Sequence, residues 1–466
     1  MEQAKNQEAT KPITNANWLG EVLPSNFKKY KLGDVAEIVI SSIDKKTKEG
    51  EHKVKLCNFV DVYHNWAITE SMYNSFMIAS ANDKNIERFS LRKGYVAFTK
   101  DSETRNDIGI STYIADNFDD VVLGYHCALV KPNEDILLGK YLNAFMHSDY
   151  IKKYLELNAT GSGMRYTLSA QTLYDMPILL PSVEEQEYIG NIFSTIDRKI
   201  AVNCAVNHNL EAMAKQLYNY WFVQFDFPNE EGKPYKSNGG KMVWNDFLKR
   251  NMPEGWLVGY VKEFIAPIER GISYSSEEIA SPNGFPMLNL ACYSKAGDYR
   301  VGEMKYYSGH IKEEYKVFPF TLLIACTDMT QGADVIGRPI LATEEYEWYV
   351  FSMDLAKITP NNIGKMYLYY TLRTPFYHRY IKPFASGTTV KHLNVKGVED
   401  YKIAVPPICL QKSFENTIED IKHQQMLLMK ETLLLTKLRD ELLPLLMNGQ
   451  VSVNYDLPNN HGILLC

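Results

Sequence analysis

From Ile189 onward, one residue in seven along the chain repeats a pattern: Ile189, Ile196, Asn203, Leu210 and Leu217. A second row runs four residues behind it, through Phe193, Ile200, Asn207, Ala214 and Trp221. Rows with this spacing share one helical face and form a coiled-coil seam. The pattern returns near the other end of the chain. There Phe414, Ile421, Leu428, Leu435 and Leu442 run beside Ile418, Gln425, Thr432, Arg439 and Leu446. Each pair of rows predicts a helix of about 35–40 residues, roughly 55 Å long. Ser182 followed by Glu185 fits a capping box just behind Pro181. The first helix is expected to end near Phe227-Pro228. The second is expected to kink or end at Pro444 and to stop by Asn448-Gly449. Asn203 and Asn207 interrupt the first stripe, and Gln425 and Thr432 soften the second. If the helices run antiparallel these polar residues can meet; otherwise they face solvent.

Between the helical stretches the pattern is that of short strands, and it occurs twice at a spacing of about 225 residues. GYVAFTKDSETRNDIG (94–109) is matched by PFTLLIACTDMTQGADVIG (319–337), which sets Lys100-Asp101 beside Thr327-Asp328. VVLGYHCALVKP (121–132) is matched by YVFSMDLAKITP (349–360), and ATGSGMRYTL (159–168) by ASGTTVKHL (385–393). ILLPSVEEQ (178–186) is matched by IAVPPICLQ (403–411), with Pro181 over Pro406 and Gln186 over Gln411. Residues 140–157 and 365–384 read as shorter amphipathic helices. The segmentation that follows is 1–180 (with a polar tail at 1–20), long helix 181–228, linker 229–250, 251–405, long helix 406–450 and tail 451–466. The fold class is α+β: two pseudo-repeated mixed domains joined by two long helices forming an antiparallel coiled coil.

Composition narrows the function classes. At 466 residues, with 45% hydrophobic and 23% charged positions, the chain is ordinary globular material for several domains. It has no apolar run long enough for a membrane helix and no apolar signal core at its start, so a cytoplasmic protein is expected. Seven scattered Cys include no C-x-x-C pair, and there is no H-E-x-x-H, so no disulfide framework or metal site is expected. The net charge of −6 divides as −2, −1, −1 and −2 when the chain is cut at 180, 250 and 405. No segment is a basic domain, so any nucleic-acid binding must rest on local clusters or on a partner.

The chain carries no phosphate loop, dinucleotide fingerprint or nucleophile elbow, and no Asn/Asp-Pro-Pro-aromatic segment. Catalysis by this chain is therefore not expected. What recurs are four loops. In the first repeat these hold Lys100, Asp101, Ser102, Thr104 and Arg105, then Ser162, Arg165 and Tyr166. In the second they hold Thr327, Asp328, Thr330 and Gln331, then Thr388, Thr389, Lys391 and His392. Backbone N–H groups and hydroxyls of such loops can grip phosphates, while Arg, Lys, Gln and Asp can read base edges. The plain alternative is a set of turns with solvated polar residues.

Residues 181–228 closely resemble the central region of the specificity subunits of type I restriction-modification enzymes. The features that match are the Pro-x-x-x-x-Gln start, Ile-Asp-x-Lys-Ile at 196–200, Leu-Glu-x-Met-Ala-Lys at 210–215 and Trp221-Phe222-Val223 followed by Phe225-Asp226. LLPLLMNGQVSV (442–453) resembles that family's second conserved region. The second long helix departs from the pattern, because it lacks the Ile-Asp-x-Lys-Ile step.

The resemblance implies two target recognition domains, each reading half of a bipartite double-stranded DNA site, with the helices as spacer. It implies no catalysis and no cofactor in this chain. Two modification subunits would use S-adenosylmethionine to methylate adenine, and restriction subunits would use ATP and Mg2+ to translocate and cut. Ile189, Ile196, Asn203, Leu210, Leu217, Trp221, Ile421, Leu428, Leu435 and Leu442 would then matter for spacing and partner docking. The competing reading is a coiled-coil scaffold that binds protein partners without reading DNA sequence.

Overall fold

The computed structural model describes residues 27–447, apart from 164, 281–282, 295–297 and 301–302. The tails at 1–20 and 451–466, and the expected stop at Asn448-Gly449, lie outside the described residues. The chain divides into two compact units, Met1–Ile200 with Leu435–Cys466, and Ala201–Leu434.

The first unit is built on strand β1 (Val96–Thr99), which leads through Lys100 into β2 (Asp101–Ser102). Helix α1 (Gly139–Met146), strands β3 (Thr160–Ser162) and β4 (Arg165–Thr167) and the long helix α2 (Val183–Tyr218) follow. The central sheet has the order Ala36–Ile40, Cys127–Pro132, β1, Ser111–Ile114, Ala67–Ile68. Every residue of β1 and of Ser111–Ile114 is buried, so these central strands do not alternate. α1 lies against both. A small sheet of order β3-β4-β2 extends from the main one.

The second unit contains β5 (Leu322–Ala325), β6 (Thr327–Asp328), helix α3 (Lys365–Thr371), β7 (Ala385–Ser386), β8 (Lys391–Leu393) and the long helix α4 (Ile408–Met447). Its four-stranded sheet has the order Glu269–Arg270, Leu355–Ile358, β5, Pro339–Leu341, and a small sheet has the order β7-β8-β6. These four strands follow the order of the first four in the first unit's sheet, whose fifth strand, Ala67–Ile68, has no counterpart in it.

One buried glutamine fixes each long helix to its unit. The Gln186 Oε1 accepts from the backbone N–H of Leu138, the N-cap of α1, at 3.0 Å, and its Nε2 donates to the carbonyls of Ile136 and Pro181. Gln411 does the same with Gly364, the N-cap of α3, at 2.6 Å, and with the Pro406 carbonyl. Helix starts leave backbone N–H groups without intrahelical partners. A side-chain amide supplies an acceptor and a donor at once, which explains glutamine at the end of both Pro-x-x-x-x-Gln motifs.

Where α2 and α4 touch inside the second unit, they run in opposite directions. Asn203 Nδ2 donates to Glu431 at 2.7 Å, Gln425 Nε2 donates to the Asn207 carbonyl at 3.1 Å, and Lys422 Nζ donates to Glu211 at 2.6 Å. Asn203 and Gln425 thus use their side chains across the pair, while Asn207 contributes its backbone carbonyl. Ile189 and Phe193 are buried in the first unit's core with Leu443, Leu446 and Met447; Ala214, Tyr218, Trp221, Phe414 and Ile418 are buried in the second's. Ile196 is also buried.

The seam departs from strict sevens. Leu210, Leu217, Ile421, Leu428, Leu435 and Leu442 are only half-buried, whereas Lys422, Gln425 and Met426 are buried. The stripe on a straight α-helix drifts by about 20° per heptad, which moves contact from Ile421 to its neighbour. α2 remains α-helical to Tyr218, adds one π turn (Asn219–Val223) and stops before Phe225, whose φ is +68°. α4 passes through Pro444 rather than ending there, and the buried Leu443, Leu446 and Met447 hold its last turn.

The expected linker 229–250 is folded. Met242–Asn245 pairs with Arg250–Pro253, Tyr235 stacks on Phe227 at 4.6 Å, and Ser237 binds the Asp226 carboxylate through both its N–H and its hydroxyl. Among the described residues no helix is long and apolar enough to cross a membrane.

Candidate nucleic-acid interface

In the first unit the two candidate loops, some sixty residues apart in sequence, become neighbours through β4. Ser102 lies opposite Tyr166 and Asp101 opposite Thr167, while the β3–β4 hairpin sets Ser162 opposite Arg165. The hairpin requires glycine at 161. Its φ is +133°, and a Cβ there would lie 2.2 Å from the Arg165 carbonyl oxygen.

Asp101 sits behind this surface, 7% exposed. Lys100 Nζ binds its Oδ1 at 2.9 Å and reaches Thr167 Oγ1 at 3.3 Å; His126 Nδ1 meets its Oδ2; Arg165 Nη2 lies 3.9 Å away. Burial pushes the Asp101 carboxyl upward, but hydrogen bonds from Thr167, His126 and Lys100 outweigh it and hold the group below the usual range. Asp101 is therefore an ionised internal anchor. Lys100 is turned inward with it, since its side chain is mostly buried and its ammonium is engaged. Neither of these two residues faces outward as expected, because a buried carboxylate demands a nearby cation.

The outward surface carries Thr104, Arg105, Ser162 and Arg165, all exposed, with Ser102 and Tyr166 half-buried. Arg105 stacks over the Tyr166 ring at 5.3 Å, and Arg165 Nη2 donates to the Tyr125 hydroxyl at 3.2 Å.

The second unit builds the same platform with other chemistry. Thr327 lies opposite His392 and Asp328 opposite Lys391. Gly387, at φ +115°, stands where Gly161 does in the first hairpin; a Cβ would lie 2.1 Å from the Val390 carbonyl oxygen. Asp328 is fully buried, and its carboxylate accepts backbone N–H groups from Thr330 (2.6 Å), Val335 (2.7 Å) and Ile336 (3.0 Å). It winds loop 329–336 around itself instead of facing out. Thr327 is also buried and donates to Asp354 at 2.9 Å. The exposed members are Gln331, Thr388, Thr389 and His392, with Thr330 and Lys391 half-buried and Lys391 Nζ on the Gln331 carbonyl.

Equivalent backbone bonds fix the match between the units. Lys100 N–H binds the His126 carbonyl as Cys326 N–H binds that of Asp354, and Leu168 N–H binds the Lys100 carbonyl as Leu393 N–H binds that of Cys326. Lys100 therefore corresponds to Cys326 and Asp101 to Thr327, one residue away from the pairing of Lys100-Asp101 with Thr327-Asp328. In a strand a slip of one residue exchanges faces, so the shared Asp letter misleads. Sequence reasoning also missed Tyr125, His126 and Asp354. The signal was available in the matched strands, where His126 and Asp354 precede equivalent apolar runs.

The comparisons with known proteins agree with the resemblance. Residues 24–212 match the family described as type I restriction modification DNA specificity domain. Over 77% of its length the chain is 24% identical to the type I restriction enzyme MjaIX specificity subunit of Methanocaldococcus jannaschii, covering 76% of that protein. Over 92% of its length it is 22% identical to the HindI specificity subunit of Haemophilus influenzae, covering all of it. The fold is shared with the crystal structure of a type I restriction-modification system S subunit from M. genitalium. The TM-score is 0.54 at 16% identity, over 90% of this chain and 96% of that one. The resemblance to type I specificity subunits read from the sequence is thus borne out.

Proposed function

We propose that this chain is the DNA sequence-specificity subunit of a type I restriction-modification complex, without catalysis of its own. Each unit reads one half of a bipartite double-stranded site through its small three-stranded sheet. α2 and α4 act as an antiparallel coiled-coil spacer and dock two modification subunits; restriction subunits join that assembly. S-adenosylmethionine, ATP and Mg2+ belong to those partners.

The observation that carries this reading is the paired platform: in both units, two distant loops meet across one glycine-dependent hairpin and present polar and cationic side chains outward. Only four or five side chains per platform are needed to read a short half-site. The acidic net charge is compatible with this, because partners closing around the duplex can supply phosphate neutralisation. A helix of 36 residues is roughly 54 Å long, enough to hold two readers more than one duplex turn, about 34 Å, apart.

Mapping methylated adenines in cells with and without the chain tests the proposal. Loss of one split motif on deletion supports it. An unchanged map, with the modification partner expressed, overturns it. Lengthening or shortening α2 and α4 in step should alter the gap between half-sites, and an unaltered gap would remove the spacer role.

A further inference from the structure

We propose that Arg165 is the guanine-reading residue of the first unit, held in register by Asp101 and Tyr125, so that the half-site read there contains a G·C pair. This rests on the function proposed above and adds the base and the residue that selects it.

Three observations single out Arg165. It is the first residue of β4, at the turn end of the hairpin that Gly161 forces tight, and its side chain is about two-thirds exposed. It is braced from behind, with Nη2 3.2 Å from the Tyr125 hydroxyl and 3.9 Å from the buried Asp101 carboxylate. That carboxylate is in turn fixed by Lys100 and His126. Both braces use Nη2, so other N–H groups of the fork remain for a base. A planar guanidinium whose direction is already set loses little freedom on forming two hydrogen bonds, and Arg to guanine O6 and N7 is the commonest specific major-groove contact.

The other cations of this platform are differently engaged. Arg105 lies over the Tyr166 ring, and the Lys100 ammonium is tied to Asp101 and Thr167. The exposed loop residues of the second platform, Gln331, Thr388, Thr389 and His392, include no guanidinium. Their amide and hydroxyl groups suit adenine and thymine edges better than guanine. Asp101 and Tyr125 are positioning residues here, acting through Arg165.

The experiment is methylated-adenine mapping in cells whose own copy is deleted and replaced by the full chain, as wild type, Arg165→Ala, Arg165→Lys or Asp101→Asn, with the modification partner unchanged. The expected result is that the wild-type motif has a G·C pair in one half-site. Arg165→Ala should lower preference for that pair by between about fivefold and 150-fold while the other half-site is kept. Arg165→Lys keeps the charge without the fork, so it should relax the same position with less loss of total methylation. Asp101→Asn should relax that position alone. A motif restored unaltered by Arg165→Ala and Arg165→Lys overturns the inference. So does uniform weakening at every site without relaxed preference, which is the mark of a phosphate contact. Either outcome leaves the specificity function standing. A map with no motif dependent on the wild-type chain would overturn that function instead.

Discussion

The two units share strand order, hairpin and glutamine clamp, yet place their buried ion pairing at opposite ends. In the first unit it lies under the reading platform, where Asp101 is gripped by Lys100 and His126. The place where its globular part meets the long helices is built from rings: Trp66 stacks on His147 at 4.3 Å, and Arg439 lies over Trp66 at 5.3 Å. In the second unit the platform anchor is satisfied by backbone N–H groups, and the ions sit at the helix joint. There Glu211 binds Lys422 at 2.6 Å and Arg373 at 3.4 Å, and Arg373 also binds Asp298. These groups line a cavity of about 580 Å³ with Asn207 and Gln425. Equivalent places carry different charge. Asp197 and Lys422 each lie eleven residues beyond the clamp glutamine, and His147 and Arg373 each lie nine beyond the residue it clamps. A shared backbone thus leaves the polar chemistry free to move, provided each buried ion keeps a partner.

The joint of the second unit is where this contrast breaks most visibly. Glu211→Ala strands Lys422 and leaves Arg373 with Asp298 as its carboxylate partner; the two cationic side chains are 5% and 7% exposed. We expect a loss of about 3–5 kcal/mol in the second unit, read by hydrogen exchange of α3 and of amides 418–426 in the full chain. Replacing Lys422 by Met as well should recover much of it; a single variant as protected as the parent would show the ions to be ornamental. The anchors come next. Asp328→Asn removes one of two acceptor oxygens facing three N–H groups, so we expect about 1–3 kcal/mol and faster exchange at Val335 and Ile336. An unchanged exchange rate there would mean the loop is held by something else.

The corresponding test of the first platform is acid. Asp101 is depressed in the folded chain, so its contribution is present above the unfolded carboxyl value of about 3.9 and disappears as pH falls through the folded value. Exchange in β2 and β4 should quicken below about pH 4, and Asp101→Asn should abolish that step. The same step persisting in Asp101→Asn would assign it to another group. Thr327, at the equivalent place, does not titrate.

The features that were legible in the sequence are those carried by period or by repetition. Seven-residue rows located both long helices, and doubled motifs located the loops and both clamp glutamines. The features that were not legible depend on which way a side chain turns. Lys100 and Asp101 read as an exposed polar step because adjacent charges usually are; only the strand register shows that both turn inward. Lys422, one place beyond the seam residue Ile421, carries no signal of its own in the sequence; helical drift and Glu211 make it a buried ion. Tyr125 was passed over because a lone aromatic beside a strand is ordinary. Its role appears only once β4 brings Arg165 to it.

The smallest effect concerns the first unit's own joint, and it has the opposite sign. Burial pushes the Asp197 carboxyl up to about 6, with Arg439 offsetting only part of that. A raised carboxyl binds its proton more tightly when folded. Its cost is therefore present above about pH 6 and is relieved as pH falls towards the unfolded value of about 3.9. Asp197→Asn keeps the shape and removes the charge. Discounted for partial solvent screening, it should stabilise the chain by about 1–2 kcal/mol at pH 8 and by little at pH 4. His147, buried and held neutral by a value lowered to about 3, supplies no compensating cation across that range. Thermal melting of parent and variant at both pH values measures the difference. Stabilisation at pH 8 would mark Asp197 as a charge the folded chain carries at a loss. Destabilisation there would mean that Arg439 satisfies it after all, and the two joints would then be ionic alike.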